Sequence, residues 1–345
     1  MSEETSKPGS GGGGGASATV RGPSTLIGRL TSRREAGVLF GFIVLYGIIA
    51  VSRPDIFFSW GDISGVTFRL FRTASIYIII GIGMSFLIIS GEFDLSVGSM
   101  FAVGGLSFAM LIQDFQLTVF AAMVVVLLIA AGVGVTNGVI VTKIGVPSLI
   151  ATIGMLSVLR GVALSITDGS WGVPRDNSAI HLLGGTTEVF GVSVAHQVVW
   201  ALLLVIAFGF VLHQTRFGYH IYAVGDDQDA AEKTGINADR VKILNFVIVA
   251  MLAALAGMIS ISYYGSMFAS SGATYELLII AAVVIGGTNL FGGEGTLSGM
   301  VLGALVIAII PQVLVLNGMS VDIQELLTGV IIIVAVVLDI IFRGR

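Results

Sequence analysis

The sequence has no cysteine and little charge. Without cysteine there are no disulfides, no thiolate nucleophile and no cysteine metal site. Only 11% of its residues are charged, against roughly 25% in soluble domains. The net charge of −4 gives nucleic acid no basic surface to bind. There is no GxxxxGK[ST] stretch, so no P-loop of this chain hydrolyses ATP. GxSxG and HExxH are also missing, and His181, His196, His213 and His220 lack metal-ligand spacing. No catalytic residue and no metal ligand is therefore assigned. A membrane enzyme built from scattered Asp and Ser residues, or a non-transporting membrane scaffold, are the alternatives from other classes.

What the chain has in abundance is apolar length. Hydrophobic residues make up 55% of it, and mean hydropathy is +0.99. An all-α integral membrane protein is the expected class. Apolar segments recur at 36–52, 73–90, 95–112, 117–140, 146–166, 193–213, 243–264, 277–292, 298–316 and 321–342, which predicts about ten transmembrane helices. Residues 1–35 differ: the Gly-rich stretch SKPGSGGGGGASA and the basic flank after it read as a flexible cytoplasmic tail. Residues 36–345 are expected to form the membrane domain. Ala50-Val51-Ser52 resembles a small-x-small processing site, but the apolar run before it is long for a signal peptide.

Charge sets the expected orientation. With ten crossings and a cytoplasmic N-terminus, twelve Lys and Arg residues fall on inside segments and only Arg53, Arg69, Arg72 and Arg175 outside. Both termini and the 214–242 loop are then cytoplasmic, in a multi-pass cell-membrane protein surrounded by lipid.

Of the 47 glycines many lie inside the apolar spans, and two polar interruptions of apolar sequence are Gly-rich. GEFDLSVGSM, residues 91–100, places Glu92 and Asp94 between the second and third segments. IGGTNLFGGEGTLSG, residues 285–299, resembles it loosely. Both read as Gly-rich helix breaks, with Gly91, Asp94, Gly98, Gly287, Gly293 and Gly295 as hinge positions. Segments two to five and seven to ten would form an inverted repeat, a symmetry common in transporters, although the similarity is too loose to establish one. Asp94 is read first as the N-cap of the third segment, with a place in the solute path as the alternative. Glu92 is expected at the cytoplasmic interface or paired with a base. Arg160 lies inside the fifth segment and needs an interface, an acid or a solute to satisfy it. Asn137, Thr152, Ser157, Arg160, Asn245 and Asn289 are candidates for the solute path, with Tyr263 and Tyr264 as aromatic companions. In the 214–242 loop, Asp226 or Asp227 can start a short helix that Gly235 ends. Two turns are marginal alone, so the helix either packs on a surface, which could be a partner protein, or is a capped surface loop.

Taken together, these stretches resemble the membrane-spanning permease subunit of ribose/xylose-type ATP-driven sugar importers. Asp94, Leu95, Ser96, Val97 and Gly98 match that family's DLSVG signature, and Glu92 and Phe93 depart from it. NGVIVTKIGVPSLIATIGML with Arg160-Gly161, RFGYHIYAVGDDQDAAEKTGI and AAVVIGGTNLFGGEGTLSGMVLGALVI extend the resemblance over roughly residues 38–342. Asp226, Asp227 and Glu294 stand where other residues are usual. The resemblance implies alternating access for a monosaccharide. Nucleoside or branched-chain amino-acid permeases of the broader group are the alternative. It implies an ATP-binding subunit at the cytoplasmic face that carries ATP and Mg, an extracytoplasmic solute-binding protein, and a second permease copy or close relative. No cofactor is expected in this chain. The short helix becomes the docking element, with Asp227, Ala230, Ala231, Glu232 and Gly235 coupling it to the ATPase.

Overall fold

The computed structural model describes residues 33–57, 60–167, 170–173, 177–189 and 192–320, with isolated helical positions between 323 and 337. The Gly-rich tail lies outside the described residues, as does most of 321–342. The other nine predicted segments fall on helices.

α1 spans Arg33–Ser52, the short α2 Pro54–Phe57, and α3 Trp60–Ile89. α3 starts thirteen residues ahead of the predicted 73, because Arg69 and Arg72 are accommodated within the helix. α4 (Val97–Gln113) and α5 (Val119–Val139) follow, the latter running into a π-helical turn at Ile140–Ile144 that Gly145 ends. α6 is Ser148–Ser165. A small outer module then comprises β1 (Ser170–Gly172), α7 (Ser178–Gly184), β2 (Thr186–Val189) and β3 (Val192–Ala195). α8 (His196–Gln214), α9 (Arg216–Asp226), α10 (Gln228–Lys233) and α11 (Ala238–Tyr264) lead to β4 (Ser266–Phe268), α12 (Tyr275–Ile285) and α13 (Leu297–Leu316). Seven of these helices are long and apolar enough to cross a membrane, and α4 and α12 are shorter apolar helices.

Burial divides them into two groups. α4 is buried almost throughout, as is the α3 stretch Ile76–Ile89, including Phe86, Phe101 and Phe108. α11 and α12 close the same core. In contrast, Phe40, Phe120, Leu128, Ile150, Leu202 and Phe210 of α1, α5, α6 and α8 are exposed. A water-soluble fold would not display this much apolar surface, whereas a bilayer favours it.

The packing follows an exchange. α11 lies on α4 and α5, while α3 lies on α12 and α13. Two inverted units, α3–α5 and α11–α13, would make these reciprocal contacts. The breaks at 91–98 and 285–299 lie on the same face, since Gly293 N–H donates to Ile89 O at 2.9 Å. Equivalents in an inverted repeat would lie on opposite faces, so these two breaks would not be each other's counterparts.

Side-chain bonds sort the connections into two layers. Lys143 meets Asp239 at 2.5 Å, Phe93 N meets Ser148 Oγ at 3.3 Å, and Ser298 Oγ meets Glu35 at 2.6 Å, all on one face. On the other, β1 pairs antiparallel with β4, and Arg53 bonds the Leu316 carbonyl at the end of α13.

Candidate functional site

The polar centre of the molecule lies on the face shared by both Gly-rich breaks. α3 ends in a Schellman turn: Gly91 N–H donates to Ile88 O at 2.9 Å and Glu92 N–H to Leu87 O at 3.1 Å, with Gly91 at φ +85°. α12 ends the same way, with Gly287 at φ +95° bonded to Val284 O at 2.8 Å and Thr288 to Val283 O at 3.2 Å. Gly293 also has positive φ. Gly98 and Gly295 serve proximity instead. A Cβ on Gly98 would stand 2.3 Å from Gly272 O, and one on Gly295 2.7 Å from Thr288 Oγ1.

Stopping a helix inside the protein leaves amides and carbonyls that need partners. Ser148 and three of the solute-path candidates, Asn137, Thr152 and Asn245, supply them at the first break. Ser148 Oγ accepts from Phe93 N–H, and Thr152 Oγ1 accepts from Leu95 N–H at 3.0 Å. Asn245 Nδ2 donates to Phe86 O at 3.1 Å and Ser90 Oγ at 3.0 Å. Asn137 Nδ2 donates to Asp94 Oδ2 at 3.3 Å and Ser96 Oγ at 3.2 Å. Asn137, Thr152 and Asn245 are fully buried and hold the break in place. Asn289 serves the other break, where its Oδ1 accepts from Phe291 N–H at 3.1 Å. Ser157 is exposed on α6 and bonds the Ile153 carbonyl at 3.3 Å.

Asp94 is not the N-cap of α4. The helix begins at Val97 behind Ser96, which makes no side-chain cap bond. Asp94 is 1% exposed, and its Oδ1 accepts from Ser96 N–H at 2.7 Å and Ser96 Oγ at 2.5 Å. It closes the turn that leads into α4. Glu92 pairs with Lys242 at 2.7 Å. Arg160 is met by carbonyls: its Nη1 donates to Ala269 O and to Ser271 O, the latter at 3.4 Å, in the outer connection between α11 and α12. Tyr263 and Tyr264 are covered by Arg72, whose guanidinium lies 4.8 Å and 5.8 Å from their ring centroids.

Beside the breaks lies an open groove of about 750 Å³, lined by Tyr219, Tyr222, Asp226, Asp227, Ala230 and Glu294, among others. Its floor is α9, a helix within the 214–242 stretch. The signal was present, because Phe217, Ile221 and Val224 fall at helical spacing and turn inward. α9 approaches the end of α3 so closely that a Cβ on Gly225 would meet Ile89 O at 1.7 Å. Tyr222 donates to Gly295 O at 2.7 Å, and burial pushes its hydroxyl up to about 12, which keeps it a neutral donor. α10 forms the groove wall where a short capped helix was expected. Asp227 Oδ1 accepts from Ala230 N–H at 2.9 Å, and Gly235, at φ +91°, closes its other end. Asp227, Asp229, Ala230, Glu232 and Lys233 are exposed. Ala231 is 4% exposed and packs inward at the base of the same groove.

Among the described residues no group of three His, Asp or Glu side chains could hold a metal. His181 and His196 do come together, 5.3 Å apart, but His196 bonds Thr187 and the His181 carbonyl.

A membrane bundle with broken helices and a groove at its polar face has the form of a transport component, and comparison with known proteins agrees. The family described as branched-chain amino acid transport system / permease component matches residues 66–336. The chain belongs to that family. It is 36% identical to the ribose import permease protein RbsC of Haemophilus influenzae, over 91% of this chain and 94% of that protein. It is 38% identical to the probable ABC transporter permease protein YphD of Escherichia coli, over 94% and 96%. The autoinducer 2 import system permease protein LsrC of Yersinia pseudotuberculosis is 31% identical over 90% and 86%. No solved structure matches. The chain is thus a multi-pass membrane permease, a transport component rather than an enzyme.

Proposed function

We propose that this chain forms the solute path of an ATP-driven importer for a monosaccharide and is moved through α10 by a separate ATPase that binds ATP and Mg. The observation that carries this reading is the exposed, capped α10 beside a groove lined by Gly293 and Glu294 of the second Gly-rich break, with α9 of the same groove packed on Ile89 just ahead of the first. The sugar assignment draws on the ribose import permeases among the relatives. Nucleosides and branched-chain amino acids are the competing solutes, and the family description names the latter. An extracytoplasmic binding protein delivers the solute to the opposite face, and a second permease copy or close relative completes the path.

The exposed Ala230, rather than Ala231, is the position to test. Ala230→Trp should leave the permease folded, reduce co-purification with the ATPase and lower solute-stimulated ATP hydrolysis about tenfold or more, since it places a bulky ring in an interface. Ala231→Trp should instead destabilise the chain by about 1–3 kcal/mol through overpacking. Wild-type co-purification and hydrolysis with Ala230→Trp would reject the docking assignment.

The groove face is cytoplasmic in this proposal, with both termini on the same side. The absence of cysteine makes the test direct. An impermeant thiol reagent on intact cells should label Ser170→Cys and spare Asp229→Cys and Ser10→Cys. Strong labelling at position 229 would invert the orientation.

A further inference from the structure

Lys242 stands where three elements meet. Its Nζ donates to Glu92 Oε1 at 2.7 Å and to Gln228 Oε1 at 2.8 Å. Glu92 follows the Gly91 turn that ends α3. Gln228 is the first residue of α10. Lys242 itself lies in the second turn of α11, which packs on α3, α4 and α5. The Glu92 and Lys242 side chains are each 13% exposed. Salt screens such a pair far less than one on the surface. Removing one partner strands the other charge, so the two residues move together. A bond that merely fastened α11 to the break would need no third limb. Here the third limb runs to α10, the helix that also forms the groove wall.

We infer that Lys242 is a positioning residue for transport, carrying displacement of α10 to the 90–96 connection through Glu92. This rests on the proposed docking of an ATPase at α10. When α10 shifts, Gln228 draws on the Lys242 ammonium, and the ammonium draws on the residue directly after the helix-ending glycine. The break then responds to the groove without any contact between the partner and the membrane helices.

The assembled importer, reconstituted with its binding protein and solute, gives the test. The readouts are the ratio of ATP hydrolysis with and without loaded binding protein, co-purification of the ATPase, and the melting temperature of the permease. Gln228→Leu cuts the limb to α10 and leaves the Glu92–Lys242 pair intact. It should keep melting temperature and co-purification while the stimulation ratio falls about five- to tenfold. Lys242→Met should lower the ratio at least as much, and the charge exchange Glu92→Lys with Lys242→Glu should restore it. If Lys242→Met fails to fold, Gln228→Leu decides the matter alone. Unchanged stimulation in Gln228→Leu with the ATPase still bound overturns the inference, as does a charge exchange that recovers melting temperature without stimulation. Failure of the unsubstituted permease to bind the ATPase removes the docking reading itself, and this inference with it.

Discussion

Asp94 and Asp227 look alike in sequence, each a short acid ahead of a helix, yet they do different work. Asp227 caps α10 from within, and cap and stop lie eight residues apart, so the whole device was readable locally. Asp94 closes a turn, and part of its setting comes from Asn137, 43 residues away. No local pattern shows that partner. The consequence is testable by substitution. Asp94→Leu leaves the buried Ser96 N–H and hydroxyl without their acceptor, at about 1–3 kcal/mol each, and Asn137 with Ser96 Oγ alone. Asp94→Asn keeps an acceptor for Ser96, and its new N–H can be met by Asn137 Oδ1, which has no protein partner. Thermal unfolding of the purified permease should therefore show a larger loss for Asp94→Leu than for Asp94→Asn. Equal losses would show that the charge itself, not its acceptor geometry, holds the break. The solute-path candidates show a related dependence on distant partners. Buried Asn and Thr in an apolar segment signal an unmet need for hydrogen bonds, and the need here is that of the broken backbone.

The elements themselves were easier to read than their edges. Long apolar runs predicted nine helices that the structure contains, because a span must be about twenty residues long and leaves an unmistakable stretch of hydropathy. The exact limits depended on packing. α12 stops at Ile285 rather than 292 because the turn at Gly287 intervenes, and the predicted sixth segment opens as strand β3 before α8. Helix proximity also decides what the glycines do. A Cβ on Gly257 of α11 would lie 2.0 Å from Phe101 O of α4, whereas one on Gly209 of α8 would meet nothing within 4 Å. Gly257→Ala should accordingly force the two core helices apart and cost about 1–3 kcal/mol or more. Gly209→Ala should be neutral or stabilise by up to about 1 kcal/mol through helix propensity. Melting temperatures in detergent separate the two. A neutral Gly257→Ala would mean that α4 and α11 are not packed through that glycine.

At the scale of the whole molecule, a buried core of α3, α4, α11 and α12 is ringed by helices with apolar outer faces, and its polar connections fall into two layers. One layer gathers both Gly-rich breaks, the Glu92–Lys242 pair and the groove beside α10. Composition made the membrane class plain. The convergence of the two breaks on α9 and α10 was not legible, because it depends on contacts such as Gly225 with Ile89 across more than a hundred residues. In the proposed function, that convergence would let a partner at the groove act on the solute path. The most direct measurement is uptake into proteoliposomes that hold this permease, its ATPase and its binding protein. Labelled pentoses and hexoses should be tested beside nucleosides and branched-chain amino acids. The account predicts that one monosaccharide accumulates inside, that accumulation requires ATP, and that Ala230→Trp abolishes it. Accumulation of a nucleoside or amino acid instead would contradict the sugar assignment, and solute entry that is indifferent to ATP would contradict the coupled importer itself.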